Sequence, residues 1–468
     1  MAGDLTVAAA RRVRRPSMAS AEARALGLVV AATDLLPPEL RYGRLRSITR
    51  RLSARIPLPV VQGHVAPAEH APLTEATAPD GPRVTLVASR LDMGGLENVV
   101  RMLAEGLRSQ GIATSVLCGD GGVTFDALAA AGVDVVVATT AAEAFSQLGR
   151  LTPDVIEVHS APEHLMQAVS LYGAPWVNVI HNTEIHRRAS EWDAVARSGA
   201  ARWIAVSERA RAFHVAHLGG GSHPEVVVVP NAAPSAQLAG PPRADARRSL
   251  GEATGWALTD DDVVVVSLSR YDAQKNVPGL VAGFAAAATT RPSLKLVVAG
   301  PPSDGLEVAW ADALRRASRA PGNVALLGPS SSAVLLAAAD AFMLDSFFEG
   351  WPLVVIEAVR AGLPIIVSDF GVVDELLRDG VRGVLIPNPA TAGTIDDISV
   401  RRARRRVTSQ RNASEFRRAL VEVADRVDDW RARRPALTAT AAEMFTNDEM
   451  IQGHAHWLKS ALMTDVHP

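Results

Sequence analysis

Residues 83–111 read RVTLVASRLDMGGLENVVRMLAEGLRSQG. RVTLVAS (83–89) is short, β-branched and largely apolar, which predicts a parallel-sheet strand buried on both faces. A Gly-bearing loop follows, and GLENVVRMLAEGLRSQG then carries apolar residues at helical spacing up to a glycine stop. The same unit recurs downstream. TSVLCG, VDVVVA, VIEVH, WVNVIH and RWIAVS are further short apolar strands, each separated by helix-length sequence, as far as VVVVPNAAP at 226–234. This alternation predicts a doubly wound α/β domain over 83–235, with the strands parallel.

After a Pro/Arg-rich connection (235–258) the alternation restarts. VVVVSLS (263–269), LKLVVAG (294–300), NVALLG (323–328), AFMLD (341–345), PIIVSD (364–369) and GVLIP (383–387) predict a second parallel domain over 259–425. The pattern lapses into a polar, basic insertion near 390–412, and helical sequence closes the chain over 430–462. Residues 1–82 are Arg-, Ala- and Pro-rich with weak periodicity and are read as an extension. A chain of 468 residues and 49.4 kDa is too long for one core, so two domains of about 150–200 residues fit its size. Two such domains leave a cleft between the C-terminal edges of their sheets, where ligands of open α/β folds bind. An enzyme or a binding protein with an interdomain site is expected.

With 48% hydrophobic residues and a formal net charge of −2, the composition is that of a soluble globular protein. The one cysteine, Cys118, excludes an internal disulfide and fits a reducing compartment. No apolar run approaches the ~20 residues that span a bilayer, and the N-terminal arginines precede no secretory apolar stretch. A cytoplasmic location is expected. Residues 1–60 hold eleven arginines against four acids, and RRARRR stands at 401–406. A solvated surface is the plain reading of both clusters; contact with an anionic membrane face or an anionic acceptor is the sharper one. Nucleic acid is disfavoured, because the arm is short and no motif that reads RNA or DNA accompanies it.

The stretch FFEGWPLVVIEAVRAGLP (347–364) places Glu349 in the loop after the strand AFMLD and Glu357 on an otherwise apolar helix. Burying a carboxylate costs several kcal/mol, roughly, unless something pairs with it. A structural salt bridge explains Glu357 taken alone, and loop exposure explains Glu349 taken alone. At a ligand-binding edge the two together suggest recognition of ribose or sugar hydroxyls, since a carboxylate accepts two or more hydrogen bonds. SLSRYDAQKN (267–276) sets Arg270 and Lys275 five apart at the end of the second domain's first strand, a cationic pair suited to a diphosphate or a simple surface pair. Gly94 and Gly95 immediately precede a helix, where backbone N–H groups and the helix dipole favour an anion, although most Gly-Gly pairs are merely turns. His159 and His181 end strands at the cleft edge, and at least one of them is expected to meet substrate rather than serve the core. TDDDVVVV (259–266) precedes its strand and is read as a solvated turn; no metal-ligand spacing, nucleophile elbow or P-loop is present.

Arg270-x4-Lys275, Glu349-Gly350-Trp351-Pro352 and Glu357-Ala358 together resemble the retaining glycosyltransferases of family 4, which have the GT-B fold. The E-x7-E spacing from 349 to 357 is the most specific mark. GGLENVV, AVSERAR, VVVVPN, LVVAGPPSDG and NVALLG add to a likeness that covers roughly 83–387 and the closing helix, but neither 1–82 nor the insertion. The resemblance implies that Gly94, Gly95, Arg270 and Lys275 hold the nucleotide diphosphate and that backbone near Leu353 helps its distal phosphate. It implies that Glu357 binds the ribose, Glu349 a hydroxyl of the donor sugar, and that His159 approaches the sugar where the acceptor attacks. The family commonly has Gly where Ser269, Ala232 and Val372 stand; Val372 flanks the donor sugar before Glu375, so the resemblance leaves the donor open.

What the resemblance implies is transfer of a sugar from a nucleotide-diphosphate sugar to an acceptor hydroxyl with retained configuration, without a metal or other cofactor. The acceptor is unknown: a glycan, a lipid-linked or a small molecule. A nucleotide-sugar epimerase on the same fold is a weaker reading. A pyridoxal-dependent phosphorylase is disfavoured by a chain whose lysines are Lys275, Lys295 and Lys459. A catalytically idle GT-B assembly protein is the competing class, and the joint presence of Arg270, Lys275, Glu349 and Glu357 argues against it.

Overall fold

The computed structural model describes residues 18–36, 64–65, 81–92, 94–187, 189–218, 223–233, 240–373, 377 and 382–463. Most of the 1–82 extension, including its arginine-rich start, therefore lies outside the described residues.

Seven strands form the first sheet: β1 Arg83–Ala88, β2 Ala113–Cys118, β3 Asp134–Val137, β4 Val155–His159, β5 Trp176–Ile180, β6 Arg202–Ala205 and β7 Val226–Val228. Their order is β3-β2-β1-β4-β5-β6-β7 and every pairing is parallel. The second sheet has six: β8 Val263–Leu268, β9 Leu294–Ala299, β10 Val324–Leu327, β11 Ala341–Leu344, β12 Ile365–Ser368 and β13 Gly383–Ile386. Its order is β10-β9-β8-β11-β12-β13, again all parallel. Each residue of β8 is buried, as a strand covered by helices on both faces requires.

Both sheets reverse their strand order at one point, between β1 and β4 in the first and between β8 and β11 in the second. Loops leaving the two strands at such a point diverge and open a crevice. The four loops concerned follow Ala88, His159, Leu268 and Leu344. They carry Gly94, Arg270, Lys275 and Glu349, while His159 is the last residue of β4.

The chain finishes by crossing back. Helix Asn447–Leu462, started by a Thr446/Glu449 capping box, packs on helix Gly95–Ser109 and against β4 and β5. A Cβ on Gly106 would stand 2.1 Å from Ile451 Cδ1, so a larger residue here would require the Ile451 side chain to shift. The basic 390–412 stretch is partly ordered as helix Asp397–Arg405. Its arginines are not uniformly solvated: Arg404 is buried between Asp34 (3.0 Å) and Glu307 (2.6 Å), which docks the extension's helix Met18–Thr33 on the second lobe.

At the opposite edge of the second sheet from the crevice, Asp340 is buried among Arg243 (2.7 Å), Arg431 (2.9 Å) and Arg247 (3.1 Å), and it accepts the Val264 N–H. Burial pushes its pKa up, but the bonds from Arg431 and Val264 and the Arg243 charge outweigh this and hold it below the ordinary value. A lowered carboxyl pKa contributes stability above the unfolded-state value that is lost as pH falls through the folded one. Asp340→Ala, which strands these cations, should cost about 3–5 kcal/mol in equilibrium denaturation. A loss below about 1 kcal/mol, the level of an exposed pair, would show that the cluster does not lock this edge.

Candidate functional site

The second lobe supplies the charge. After β8 the side chain of Asp272 caps a short turn, Ala273–Lys275, by accepting the Lys275 N–H, and Asn276 then takes a left-handed φ of 51° before helix Val277–Ala288 begins. This turn brings Arg270 and Lys275 to the crevice. Lys275 Nζ lies 2.5 Å from Glu349 Oε1, both side chains being largely buried. Gln274 Nε2 donates to Glu349 Oε2 (3.1 Å) and to the Phe348 carbonyl (2.8 Å). The loops after β8 and β11 are thereby joined side chain to side chain.

Arg270 keeps 45% of its side chain exposed and lies 3.1 Å from Asp272. Asp272 above all, with Glu349 and Glu97 from the first lobe, raises its pKa against partial desolvation.

Behind the joined loops lies an amide network that sequence reasoning missed. Asn276 Nδ2 donates to Asp345 (3.0 Å) and to Gln410 Oε1 (2.9 Å), Gln410 Nε2 returns a bond to Asn276 Oδ1 (2.9 Å), and Asn412 Nδ2 donates to Asp345 (2.8 Å). Burial pushes the Asp345 carboxyl up to about 8 despite the bonds from Asn412 and Asn276. Asp345 ends the AFMLD strand and could have been suspected. Gln410 and Asn412 sit in the basic insertion and carry no local signal.

Glu357 lies on helix Leu353–Arg360, 5% exposed. Among the described residues no cation is paired with it. Burial raises its pKa to about 7, opposed by a hydrogen bond from Ser332 at the start of helix Ser332–Ala338. One fragment of the N-terminal extension reaches this corner: Val65 donates its N–H to Ser330 Oγ (3.2 Å) and accepts the Ser331 N–H (3.1 Å).

The first lobe faces these groups closely. Gly350 lies so near the His181 carbonyl that a Cβ there would approach it to 2.0 Å, and the Gly350 carbonyl accepts Ser207 Oγ at 2.8 Å. Trp351 Nε1 donates to the Asn231 carbonyl (2.8 Å). A Cβ on Gly95 would lie 3.7 Å from Leu353 Cδ1, which places both at the seam. At Gly94, Glu97 of the first helical turn folds back until its Oε2 would stand 2.3 Å from a Gly94 Cβ, which sets an acid beside the helix N-terminus without a side-chain capping bond. Gly371 keeps a left-handed φ of 87° and Val372 is fully buried; Glu375 lies outside the described residues.

His159 does not line the crevice. It is 0% exposed, with Nδ1 2.9 Å from His181 Nε2 and Nε2 3.9 Å from Glu157 Oε2. The physical reason is tertiary: Glu157 and the final helix close over it from below, and His181 stands between it and the seam. His181 is half-buried and is the member of the pair that reaches the second lobe. Among the described residues no group of three or more His, Cys, Asp or Glu is arranged to hold a metal ion, and no helix is long and apolar enough to cross a membrane.

Residues 254–413 match the family described as glycosyl transferases group 1, and residues 93–236 match glycosyltransferase family 4. A glycogen synthase of Mycobacterium tuberculosis is 27% identical over 287 residues, covering 56% of this chain and 65% of its own length. A D-inositol 3-phosphate glycosyltransferase of Actinosynnema mirum is 31% identical over 186 residues, 37% of this chain and 43% of its own. The chain thus spans less than two thirds of the length of these curated relatives. HepE of Anabaena, solved in complex with UDP and glucose, matches with a TM-score of 0.60 at 18% identity, over 81% of this chain and 100% of that one. The two parallel sheets and their helices are the GT-B architecture of such structures.

The raised Glu357 pKa has a sign that can be tested. A folded value of about 7, against 4.5 for an ordinary glutamate, means the native state holds a proton that the unfolded chain has released. Stability of the unliganded protein therefore falls as pH rises from the unfolded value through about 7. Glu357→Gln, neutral throughout, should remove this slope and be the more stable form at pH 8, by an amount on the order of 2–3 kcal/mol. Parallel denaturation curves for the two proteins between pH 5 and pH 8 would contradict the assignment.

Proposed function

The chain belongs to the group 1 glycosyltransferases, and from that premise we propose that it transfers a sugar from a nucleoside diphosphate sugar to an acceptor hydroxyl with retention of anomeric configuration. One observation carries the reading most. Both switch points of the two sheets face one seam, with Arg270 and the Lys275–Glu349 pair on one side and Gly95 and His181 on the other. The relatives support the donor class: HepE is described in complex with UDP and glucose, and glycogen synthase is among the similar proteins.

In this reading the diphosphate lies against Arg270 and Lys275, with the backbone N–H groups at Leu353 and Gly95 turned toward its oxygens. Glu357 receives the ribose hydroxyls, and Glu349, already steered by Lys275 and Gln274, receives a hydroxyl of the sugar. The bond from the sugar's anomeric carbon to the phosphate oxygen breaks while the acceptor oxygen attacks from the same face. The acceptor proton passes to the leaving phosphate. The positive groups stabilise charge on the departing diphosphate, commonly the dominant contribution to such catalysis, and on this proposal no metal is required. Close contact at Gly350 and Trp351 would exclude water and so limit donor hydrolysis.

Product class and acceptor follow from the family only broadly: a polysaccharide, glycolipid or other glycoconjugate. A cytoplasmic enzyme docking on an anionic membrane face would use the arginines of residues 1–17, which lie outside the described residues, together with exposed Arg402, Arg405 and Arg406. The competing reading is an idle assembly protein; nucleotide binding without turnover for any donor would favour it.

Arg270→Ala is the informative variant, because Lys275→Ala also strands the buried Glu349 and risks the fold. In a thermal-shift screen of nucleoside diphosphates and their sugars, at least one should raise the wild-type melting temperature. Arg270→Ala should abolish that shift and lower transfer roughly 100-fold or more, with the unliganded melting temperature unchanged. Full turnover in this variant would end the diphosphate assignment.

A further inference from the structure

Glu157 and His159 are two positions apart on β4 and so point to the same face of the sheet. From the other side His454, on helix Asn447–Leu462, brings its Nδ1 onto Glu157 Oε1. All three side chains are completely buried. Three of their polar atoms have no hydrogen-bond partner among the described residues: Glu157 Oε2, His159 Nε2 and His454 Nε2. The first two lie 3.9 Å apart. His159 Nδ1 in turn meets His181 Nε2 at 2.9 Å, and the His159 and His454 rings are stacked with centroids 6.5 Å apart.

Burial, with its histidine neighbours, holds the pKa of His159 well below the ordinary value, and burial with His454 lowers that of His181 to about 3. Both rings are therefore neutral near pH 7 and each carries one N–H. Two nitrogens 2.9 Å apart share a single proton, so the pair has two arrangements. In the first, His181 Nε2–H donates to His159 Nδ1, the proton of His159 is on Nε2 facing Glu157, and His181 Nδ1 is bare. In the second, His159 Nδ1–H donates to His181 Nε2, a lone pair on His159 Nε2 faces the carboxylate, and His181 carries its proton on Nδ1. A fully buried carboxylate oxygen with no other partner among the described residues attracts an N–H and repels a lone pair.

We propose that Glu157, anchored by His454 of the final helix, is a positioning residue that fixes the first arrangement, so that His181 presents a bare Nδ1, a hydrogen-bond acceptor, at the seam. His181 follows β5 directly with its carbonyl against Gly350, and its Nδ1 is the nitrogen that the cluster does not use. Taken with the transfer reaction proposed above, on which this consequence rests, His181 receives a hydroxyl of the donor sugar or of the attacking alcohol. His159 acts behind it and touches neither. The final helix is thereby built into the site through one hydrogen bond spanning 297 positions of chain.

The test is a two-bond ¹H–¹⁵N correlation spectrum of the full chain labelled with ¹⁵N-histidine, near neutral pH, assigned by the peaks lost in His159→Gln and His181→Gln. In the wild type both rings should be protonated on Nε2. In Glu157→Gln the amide can still accept from His454 while turning an N–H toward His159 Nε2, so both protons should move to Nδ1. Glu157→Asp, which keeps the charge, should retain the wild-type pattern. A wild-type His181 protonated on Nδ1 overturns the proposal whether or not the variants fold, and so does an unchanged pattern in folded Glu157→Gln. With a donor in hand, Glu157→Gln should lower kcat about tenfold or more while donor KM stays within about twofold; parallel loss in both would mark a merely structural role. Absence of transfer with every donor would sink the reaction while leaving the tautomer result to stand or fall by itself.

Discussion

A carboxylate taken out of water has to find a cation, find hydrogen bonds, or take up a proton, and this molecule is organised around that constraint. Glu349 finds a cation. Its bond to Lys275 Nζ joins the loops leaving the two central strands of the second sheet at the place where their directions diverge. The same loops are also joined by Gln274, which donates to Glu349 and to the Phe348 carbonyl, and by Asn276, which donates to Asp345. Glu357, eight residues on, has no cation among the described residues and takes the other solution, a pKa raised to about 7. Two acids that look alike in sequence thus sit in different surroundings, one against a lysine and the other against a serine. In the proposed reaction the first would orient a sugar hydroxyl and the second would receive the ribose.

The same constraint reaches behind the site. Asp345 is held by Asn276 and Asn412, and Asn276 is in turn paired with Gln410. Asn276 occupies the left-handed turn that aims Lys275, so amides from a stretch that looks like a disordered basic insertion brace the charged loop. Two charged clusters occupy opposite edges of the sheet. The Asp340–arginine cluster lies where the strands begin, and Arg270, Lys275 and Glu349 where they end.

Communication between the lobes depends on contacts too close for ordinary side chains. Gly350 rests on the His181 carbonyl, and Gly106 admits Ile451 of the final helix. That helix ends the chain yet inserts His454 beneath the first sheet's switch point. Among the described residues the lobes therefore meet directly, at Gly350, Trp351 and Leu353 among other points, and indirectly through a helix that belongs in sequence to neither sheet.

Much of this was legible beforehand. Hydrophobic alternation between short β-branched runs and helix-length segments predicts two doubly wound parallel sheets, because strand and helix periods are local properties of the chain. Arg270, Lys275, Glu349 and Glu357 stood out because charge in an apolar context is anomalous wherever it occurs. Local pattern could not show which charges meet. That Lys275 pairs with Glu349 across 74 positions, that Glu97 folds over Gly94, that Gln410 braces Asn276, and that His159 lies sealed behind His181 are facts about packing. Partners brought together by chain closure leave no periodic trace in either segment, so only the tertiary structure could decide them.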